Sequence, residues 1–299
     1  MIEGQEGVTW PQWLALAEAC EAAGLEGLFR SDHYTGIHGG EGGALDAWAT
    51  IAGLAARTGT LRLGTLVSPV TFRHPSVLAR MAVTASEISG GRVELGLGSG
   101  WFEAEHRAHG IPFPPVAERT AMFAEQLEII ARSFRGGPFD FDGRFYTLEG
   151  AMPLPTPSRP IRIVVGGTAK PGTVGPAARL ADEYNTFSAS PQEARIRREA
   201  VVRACEAAGR APIAFSLMTQ GIVGETEAEV ARRRQAVADL TGKDPAERAE
   251  AKIEGTVDEV AERLREYEAV GVERVMLQHL VHADLEMVEL IGRVQERVV

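Results

Sequence analysis

Short apolar runs alternate along the chain with longer stretches in which apolar residues recur at helical spacing. The short runs are rich in Val, Ile and Leu and are bounded by Gly, Pro, Asp or Asn. The longer stretches are rich in Ala, Glu, Arg and Leu. This alternation is typical of βα units, and repeated βα units predict a parallel sheet covered by helices.

The pattern predicts eight strands if a short stub at the N-terminus counts as the first, and a helix after each of them. The predicted strands are residues 2–5, 25–31, 61–67, 92–96, 161–165, 183–187, 213–220 and 272–278. The nine predicted helices, two of which stand between the last two strands, are residues 11–23, 45–57, 75–88, 116–135, 173–180, 191–208, 225–240, 256–270 and 284–298. Such units fit a closed (β/α)8 barrel better than an open sheet, because too few residues remain for a second domain. We therefore expect a single α/β domain over residues 1–299.

Two segments interrupt the pattern and are expected as loop insertions at the C-terminal face of the barrel. Residues 139–148 alternate aromatic and polar side chains around Asp142 and Gly143, which indicates a hairpin. Residues 241–255 are polar and predict an exposed insertion before the last βα unit.

Composition narrows the classes of function that are open to the chain. The net charge of −10 argues against nucleic acid or an anionic membrane as a partner, since both favour a basic surface. No apolar run reaches the roughly 18 residues of a membrane span, and the first residues lack the features of a signal peptide. We therefore expect a cytoplasmic protein. Cys20 and Cys205 lie in helical apolar patterns and are expected to be buried, reduced thiols.

Candidate chemistry is sought at the strand ends, because the loops that follow the strands build the active site of a (β/α)8 barrel. Asp32 and His33 follow the second predicted strand. A carboxylate can orient an imidazole ring, which exchanges a proton near neutral pH. A helix-capping Asp beside a surface His is the alternative interpretation of the same residues.

Glycine-rich turns follow two further strands. Gly96–Trp101 contains three alternate glycines, which either let a flat or phosphorylated ligand approach the backbone or permit tight packing in the barrel. Gly166–Lys170 precedes a helix, where backbone N–H groups and the helix dipole favour a phosphate. A left-handed turn without a ligand is the alternative for the second segment.

The sequence favours no metal site. His106 with His109, and His279 with His282, have a spacing of three residues, but no Cys or organised carboxylate set accompanies either pair. We expect these residues to be surface or helix-capping histidines. The run Arg232–Arg234 is expected on the solvated face of a Glu-rich helix.

Six segments in order carry a resemblance to a known family. They are SDH after the second strand, GTLVSPVTFRHP after the third, GRVELGLGSGW at the fourth, RIVVGGTAK at the fifth, ARLADEYN, and GTVDEVAERLREYEAVGVERVMLQ near the C-terminus. Together they resemble the luciferase-like flavin and deazaflavin oxidoreductases, most closely the subfamilies that depend on coenzyme F420. The resemblance covers almost the whole chain and implies a (β/α)8 barrel with the cofactor ring at its C-terminal mouth.

The resemblance also implies roles for individual residues. His33, positioned by Asp32, is the expected catalytic proton partner beside the ring, and the Leu66–Val67 bond is the expected non-prolyl cis peptide. Gly98–Gly100 would line the path of the cofactor tail, and Gly166–Thr168 would bind its phosphate. The residues expected to bind the cofactor are Asp32, His33, Leu66, Val67, Gly98, Ser99, Gly100, Trp101, Gly166, Gly167, Thr168 and Asn185.

Two features depart from the family pattern. Trp101 stands where F420-dependent sugar-phosphate dehydrogenases have a catalytic Glu, and together with Phe102 it suggests an apolar wall for the substrate pocket. Only Met1–Gln5 stands where the family usually has a full first strand, so that strand is expected to be short or truncated.

The expected function is transfer of a hydride between F420 and a small organic substrate. An FMN-dependent monooxygenase that uses O2 is one alternative, and a non-catalytic protein that binds flavin or F420 is another. Family habit implies a homodimer, and neither a nucleic acid nor a membrane is expected as a partner.

Overall fold

The computed structural model describes residues 1–38 and 43–298, in which a mostly parallel sheet is surrounded by helices. The strands are β1 (Gly27–Arg30), β2 (Arg62–Thr65), β3 (Ser68–Pro69), β4 (Val93–Gly98), β5 (Phe139–Asp142), β6 (Thr147–Ala151), β7 (Arg162–Gly166), β8 (Glu183–Phe187), β9 (Ala214–Gly224), β10 (Ile253–Thr256) and β11 (Arg274–Gln278). The helices are α1 (Trp10–Ala22), α2 (Ala47–Ala55), α3 (Pro75–Ser89), α4 (Glu103–Ala108), α5 (Val116–Arg135), α6 (Pro171–Leu180), α7 (Pro191–Ala207), α8 (Glu227–Thr241), α9 (Val257–Ala269) and α10 (Leu285–Val298).

The parallel strands follow one another in the order β1, β2, β4, β7, β8 and β9. The long strand β9 then pairs with two partners: its first half with β11 and its last four residues with β10. The short strand β3 extends the contact between β2 and β4 at the mouth of the barrel. In this order most strands lie beside the next one along the chain, as the predicted succession of βα units requires.

The N-terminal stub joins the two edges of this sheet. The Met1 nitrogen donates to the carbonyl oxygen of Leu277 at 2.9 Å, and the His279 N–H donates to the carbonyl oxygen of Met1 at 2.9 Å. On the other side, Ile2 donates to Phe29 at 2.9 Å and Ser31 donates to Ile2 at 3.2 Å. Met1 and Ile2 thereby bridge β11 and β1, and Ile2 forms an isolated parallel bridge with Arg30. The strand predicted for residues 2–5 is not formed as a regular strand, because the chain enters a turn at residues 4–7.

A cleft of about 830 Å³ lies beside this closure, between β1 and β11. Side chains of α1 and α10, such as Leu16, Val288 and Val294, contribute to its apolar lining. The amino group of Met1 is buried beside the cleft, and this burial lowers its pKa. The contact between β1 and β11 therefore depends on the backbone pairing of two residues, Met1 and Ile2, next to an apolar cleft.

Helix α1 illustrates why the helices form and which side they bury. Pro11 stands in its first turn, where a missing N–H costs nothing. Trp13, Leu16 and Cys20 recur at helical spacing and are buried against the barrel. Cys20 and Cys205 are both free and buried, so the expectation of buried thiols is confirmed.

Several local predictions need correction. The hairpin is confirmed as β5 and β6, but residues 241–255 contain a strand, β10, in which Ile253 is fully buried. Helix α4 is not predicted from the sequence, because six residues are too few to establish a period.

The prediction of a solvated face is wrong for Arg233, which is buried and donates to Asp284 at 2.7 Å. Successive helical residues point about 100° apart, so one member of an Arg run can face inward.

Gly96 on β4 provides a test of the close packing between β2 and β4. A Cβ at this position would overlap the carbonyl oxygen of Thr65, which is backbone and cannot swing away. We expect Gly96→Ala to lower the free energy of unfolding by about 1–3 kcal/mol in urea denaturation. Gly59→Ala is the control, because a Cβ there meets its first neighbour only at 4.0 Å. Equal losses in the two variants would contradict this account.

Candidate active site at the carboxyl ends of the strands

A cavity of about 960 Å³ opens at the carboxyl ends of the barrel strands. Eleven of the twelve residues expected to bind the cofactor line it, and the exception is Asp32. The lining residues among them are His33, Leu66, Val67, Gly98, Ser99, Gly100, Trp101, Gly166, Gly167, Thr168 and Asn185. The strand ends that sequence reasoning singled out therefore meet around one space.

Val67 explains two of the glycines at the rim. The peptide bond between Leu66 and Val67 is cis, as the resemblance implied. A Cβ at Gly98 would lie 2.6 Å from Val67 Cγ2, and one at Gly166 would lie 2.9 Å from Val67 Cγ1. For Gly98, the structure therefore agrees with the close-packing interpretation, and the same neighbour explains Gly166. The apolar side chain of Val67 lines the cavity.

Asp32 does not orient His33, contrary to the expectation. Its carboxylate is fully buried and accepts hydrogen bonds from Ser68 Oγ at 2.6 Å and from Arg73 Nη1 at 2.5 Å. The same guanidinium bonds to Asp46 at 2.7 Å. Although adjacent in sequence, the two side chains face different surroundings: Asp32 lies in the protein interior and His33 faces the cavity. Asp32 instead anchors the loop that contains Arg73.

Glu105 is the residue that holds His33. The two side chains meet through His33 Nδ1 and Glu105 Oε2, which are 2.9 Å apart. The other carboxylate oxygen accepts the backbone N–H groups of Tyr34 and of Thr35, the latter at 2.9 Å. Glu105 is fully buried on α4, directly after the glycine-rich turn. This carboxylate therefore fixes both the ring and the loop that follows β1.

The pair determines the protonation of the ring. Burial lowers the pKa of His33, but the hydrogen bond and charge of Glu105 outweigh it and raise the pKa above its ordinary value of 6.5. Burial likewise raises the pKa of Glu105, but His33 and the two N–H donors lower it below 4.5 overall. Because Nδ1 donates to a carboxylate, Nε2 is the ring nitrogen that remains for chemistry in the cavity.

Glu105 was not identified from the sequence, although it stands four residues after Trp101. Its partner His33 is 72 residues away, and nothing in the local pattern connects the two. The available signal was an acidic residue in a short polar segment directly behind a strand-end turn. Such a signal becomes specific only when the barrel brings the loops after β1 and β4 together.

The N-terminus of α6 forms another part of the cavity wall. Thr168, Lys170 and Thr173 line the cavity at this helix end, and Lys170 is the residue that precedes the first turn. Tyr184 accepts the N–H of Ala169 at 2.9 Å through its hydroxyl oxygen. A Cβ at Gly167 would lie 2.5 Å from that oxygen, so Gly167 is also constrained by packing. The left-handed turn that the sequence left open is present at Ala169, which has a φ of 57°.

Asn185 lies at the floor of the cavity on β8. Its amide nitrogen donates to Ser216 Oγ at 2.8 Å, and the side chain is almost fully buried. Asn185, one of the residues expected to bind the cofactor, therefore lies in the cavity and is held by the neighbouring strand β9.

The expectation of surface or capping histidines is wrong for His106 and His279, which are both buried. His106 donates through Nδ1 to the carbonyl oxygen of Phe102 at 2.7 Å, and its Nε2 accepts from Thr71 Oγ1 at 2.6 Å. Burial lowers the pKa of His279 to about 4.

Within residues 1–38 and 43–298, no three His, Cys, Asp or Glu side chains are grouped to hold a metal ion.

The family can be assigned from these observations together with a sequence comparison. Residues 2–274 match the model of the luciferase-like monooxygenases. The chain belongs to this family. The resemblance drawn from six motifs is confirmed, and so is the expected luciferase-like α/β fold.

The matches between this luciferase-like chain and its individual relatives cover only part of each sequence. It is 32% identical over 170 residues to an F420-dependent glucose-6-phosphate dehydrogenase of Kineococcus radiotolerans, which is 56% of this chain and 50% of the relative. The chain thus spans about half the length of the curated relatives that it matches.

Solved structures support the fold over nearly the whole chain. A monooxygenase from Streptomyces bottropensis superposes with a TM-score of 0.81 at 23% identity, covering 95% of this chain and 91% of that one. An F420-dependent secondary alcohol dehydrogenase has a TM-score of 0.81 at 18% identity, with coverage of 96% and 94%. No helix in the described part of the luciferase-like chain is long and apolar enough to span a bilayer.

Glu105→Gln tests the origin of the raised His33 pKa. Because an amide carries no charge and would present N–H to Nδ1, we expect the pKa of His33 to fall and the ring to adopt the opposite tautomer. Histidine NMR titration measures both. Glu103→Gln, an exposed change on the same helix, should leave the His33 titration unaltered. An unchanged pKa in Glu105→Gln would show that this carboxylate does not control the ring.

The same pair predicts a pH dependence of stability. A raised pKa of His33 stabilises the folded state fully below pH 6.5, and this contribution is lost as the pH rises through the folded pKa. A lowered pKa of Glu105 stabilises above pH 4.5, and this contribution is lost as the pH falls through its folded pKa. We expect the stability difference between the native chain and Glu105→Gln to be largest between pH 4.5 and 6.5. Urea denaturation across pH checks this, and a difference independent of pH would contradict it.

Proposed function

We propose that this luciferase-like protein is an oxidoreductase that transfers a hydride between coenzyme F420 and a small organic substrate. The observation that carries the proposal is the pair of His33 and Glu105, which presents a raised-pKa imidazole to a cavity at the carboxyl ends of barrel strands. Strand ends are where active sites of (β/α)8 barrels lie. Similarity to relatives named as F420-dependent dehydrogenases supports the choice of cofactor.

The residues of the cavity fit a flat redox cofactor that carries a phosphate. The cavity has a volume of about 960 Å³, at the upper end of the range of about 300–1,000 Å³ for small-molecule sites. This volume leaves room for a cofactor and a substrate together. Leu66 and Val67 provide an apolar wall for a planar ring. Thr168 and Lys170, at the N-terminus of the ten-residue helix α6, suit an anion because N–H groups and positive charge converge there.

The proposed chemistry divides between cofactor and protein. Bound F420 supplies the carbon that accepts or donates the hydride. When an alcohol is oxidised, its carbon gives up a hydride and its hydroxyl proton passes to Nε2 of His33. In the reverse direction, Nε2 returns a proton to the carbonyl oxygen as the hydride arrives at carbon. Glu105 holds the ring in the required tautomer and stabilises the imidazolium that forms.

An FMN-dependent monooxygenase is the second candidate. Its support is the description of the family and the similarity of fold to the Streptomyces bottropensis monooxygenase. A flavin can activate O2, whereas a deazaflavin lacks the nitrogen that this chemistry needs. The third hypothesis, a cofactor-binding protein without activity, rests on Trp101 at the position of an expected acid.

Titration of the purified protein with F420 and with FMN distinguishes these candidates. We expect F420 to bind with at least about tenfold higher affinity than FMN, as measured by fluorescence polarisation of each cofactor. Tighter binding of FMN together with consumption of O2 would support the monooxygenase. Binding without any hydride exchange would support the carrier, and failure of both cofactors to bind would reject the assignment.

His33→Ala tests the proton role. We expect turnover to fall at least about tenfold, because the variant lacks the Nε2 that exchanges the proton, while cofactor affinity changes by less than about twofold. His282→Ala serves as the control, since His282 lies outside the lining of the cavity. If His33→Ala abolishes cofactor binding and turnover per bound cofactor survives, His33 binds the cofactor and does not transfer a proton.

A further inference from the structure

Three large apolar side chains at the rim of the cavity remain exposed. The exposed fractions are 61% for Trp101, 66% for Val116 and 45% for Phe187, and all three residues line the cavity. By contrast, Trp13 and Trp48 are almost completely buried. Apolar side chains gathered around one opening commonly mark a surface that a ligand covers.

Trp101 is held in a defined orientation despite this exposure. Its ring stacks on Phe102 with centroids 5.1 Å apart and an angle of 24° between the planes. The His33 ring meets Trp101 edge-on at 5.8 Å and Phe102 edge-on at 6.1 Å. Phe102 thus covers one face of the indole beside the imidazole, and the exposure of Trp101 leaves the other face for a ligand.

Several polar groups near the stacked rings of Trp101 and Phe102 are already engaged. Both oxygens of Glu105 accept hydrogen bonds from the loop after β1. Three cations that border the cavity on the side of α8 also have acceptors. Arg234 bonds to Glu254 at 2.8 Å, Arg248 to Glu193 at 2.7 Å, and Lys252 to the carbonyl oxygen of Pro245 at 2.8 Å. A sugar phosphate that used these three cations would have to break their pairs, whereas an uncharged substrate leaves them intact.

We propose that Trp101 is a substrate-binding residue that stacks on a planar, uncharged, aromatic or conjugated group of the substrate. A ring that extends the stack of Phe102 and Trp101 lies next to His33, where a carbonyl or hydroxyl group on that ring can exchange a proton with Nε2. This inference rests on the proposed function, because it assigns the substrate class of the same site. It differs from the substrate named for the glucose-6-phosphate dehydrogenases that the chain resembles.

Acetophenone and cyclohexyl methyl ketone form a matched pair of probes. Both are uncharged methyl ketones of similar size, and only the first has a planar ring. We expect acetophenone to bind the cofactor-loaded protein about tenfold more tightly than cyclohexyl methyl ketone. Glucose 6-phosphate is the third probe and should bind more weakly than either ketone. Isothermal titration calorimetry measures the binding of each probe to the native chain and to every Trp101 variant, independently of turnover.

Substitutions at Trp101 complete the test. Trp101→Leu should remove the preference for acetophenone, whereas Trp101→Phe should retain most of it because a planar ring remains. Trp10→Phe, which alters an indole outside the cavity lining, should change neither affinity. In Trp101→Leu the affinity for F420 should change by less than about twofold, which separates a substrate contact from a cofactor contact.

Three results would overturn the inference. They are equal binding of the two ketones by the native chain, tighter binding of glucose 6-phosphate, or a loss of F420 affinity in Trp101→Leu. The last would identify Trp101 as a cofactor residue. Failure of the proposed function is distinguishable, because it would appear as absence of F420 binding in the native chain, and ketone binding can then be measured on the unloaded protein.

Discussion

The carboxylate of Glu105 is a buried negative charge, and the mouth of the barrel is arranged to satisfy it. Removing a carboxylate from water is costly unless donors surround it, and here two backbone N–H groups and an imidazole do so. All three donors belong to the loop after β1, whereas Glu105 belongs to the helix after β4. The electrostatic requirement of one side chain therefore positions two loops and the only ring nitrogen that the proposed chemistry uses.

Packing places a second constraint on the same region. Val67 occupies the space above Gly98 and Gly166, and the hydroxyl of Tyr184 occupies the space beside Gly167. A side chain at Gly98 or Gly166 would displace Val67, which lines the cavity, and one at Gly167 would displace the hydroxyl of Tyr184. Residues that look like a ligand-binding motif in the sequence are therefore also required for the shape of the protein. Stability and binding cannot be varied independently at these positions.

The barrel was predictable because its strands and helices have different periods, and residue patterns report those periods directly. The meeting of Leu66, Gly98, Gly166 and Asn185 followed, since parallel strands end at one face. The partner of His33 was not predictable, because contact between positions 33 and 105 depends on the path of two loops. The assignment of Asp32 is wrong for a local reason: residues adjacent in sequence need not face the same side, and Asp32 is buried against Ser68 and Arg73 whereas His33 faces the cavity.

The pairing of Met1 and Ile2 with β11 and β1 has a consequence for the shape of the cavity. The next residue, Glu3, accepts a hydrogen bond from Gln278 at 2.5 Å and lines the same cavity as His33. The distance between β1 and β11 therefore sets the position of a carboxylate in the cavity wall. A substitution that widens the cleft between these two strands acts on the cavity from outside, without altering any residue that lines it.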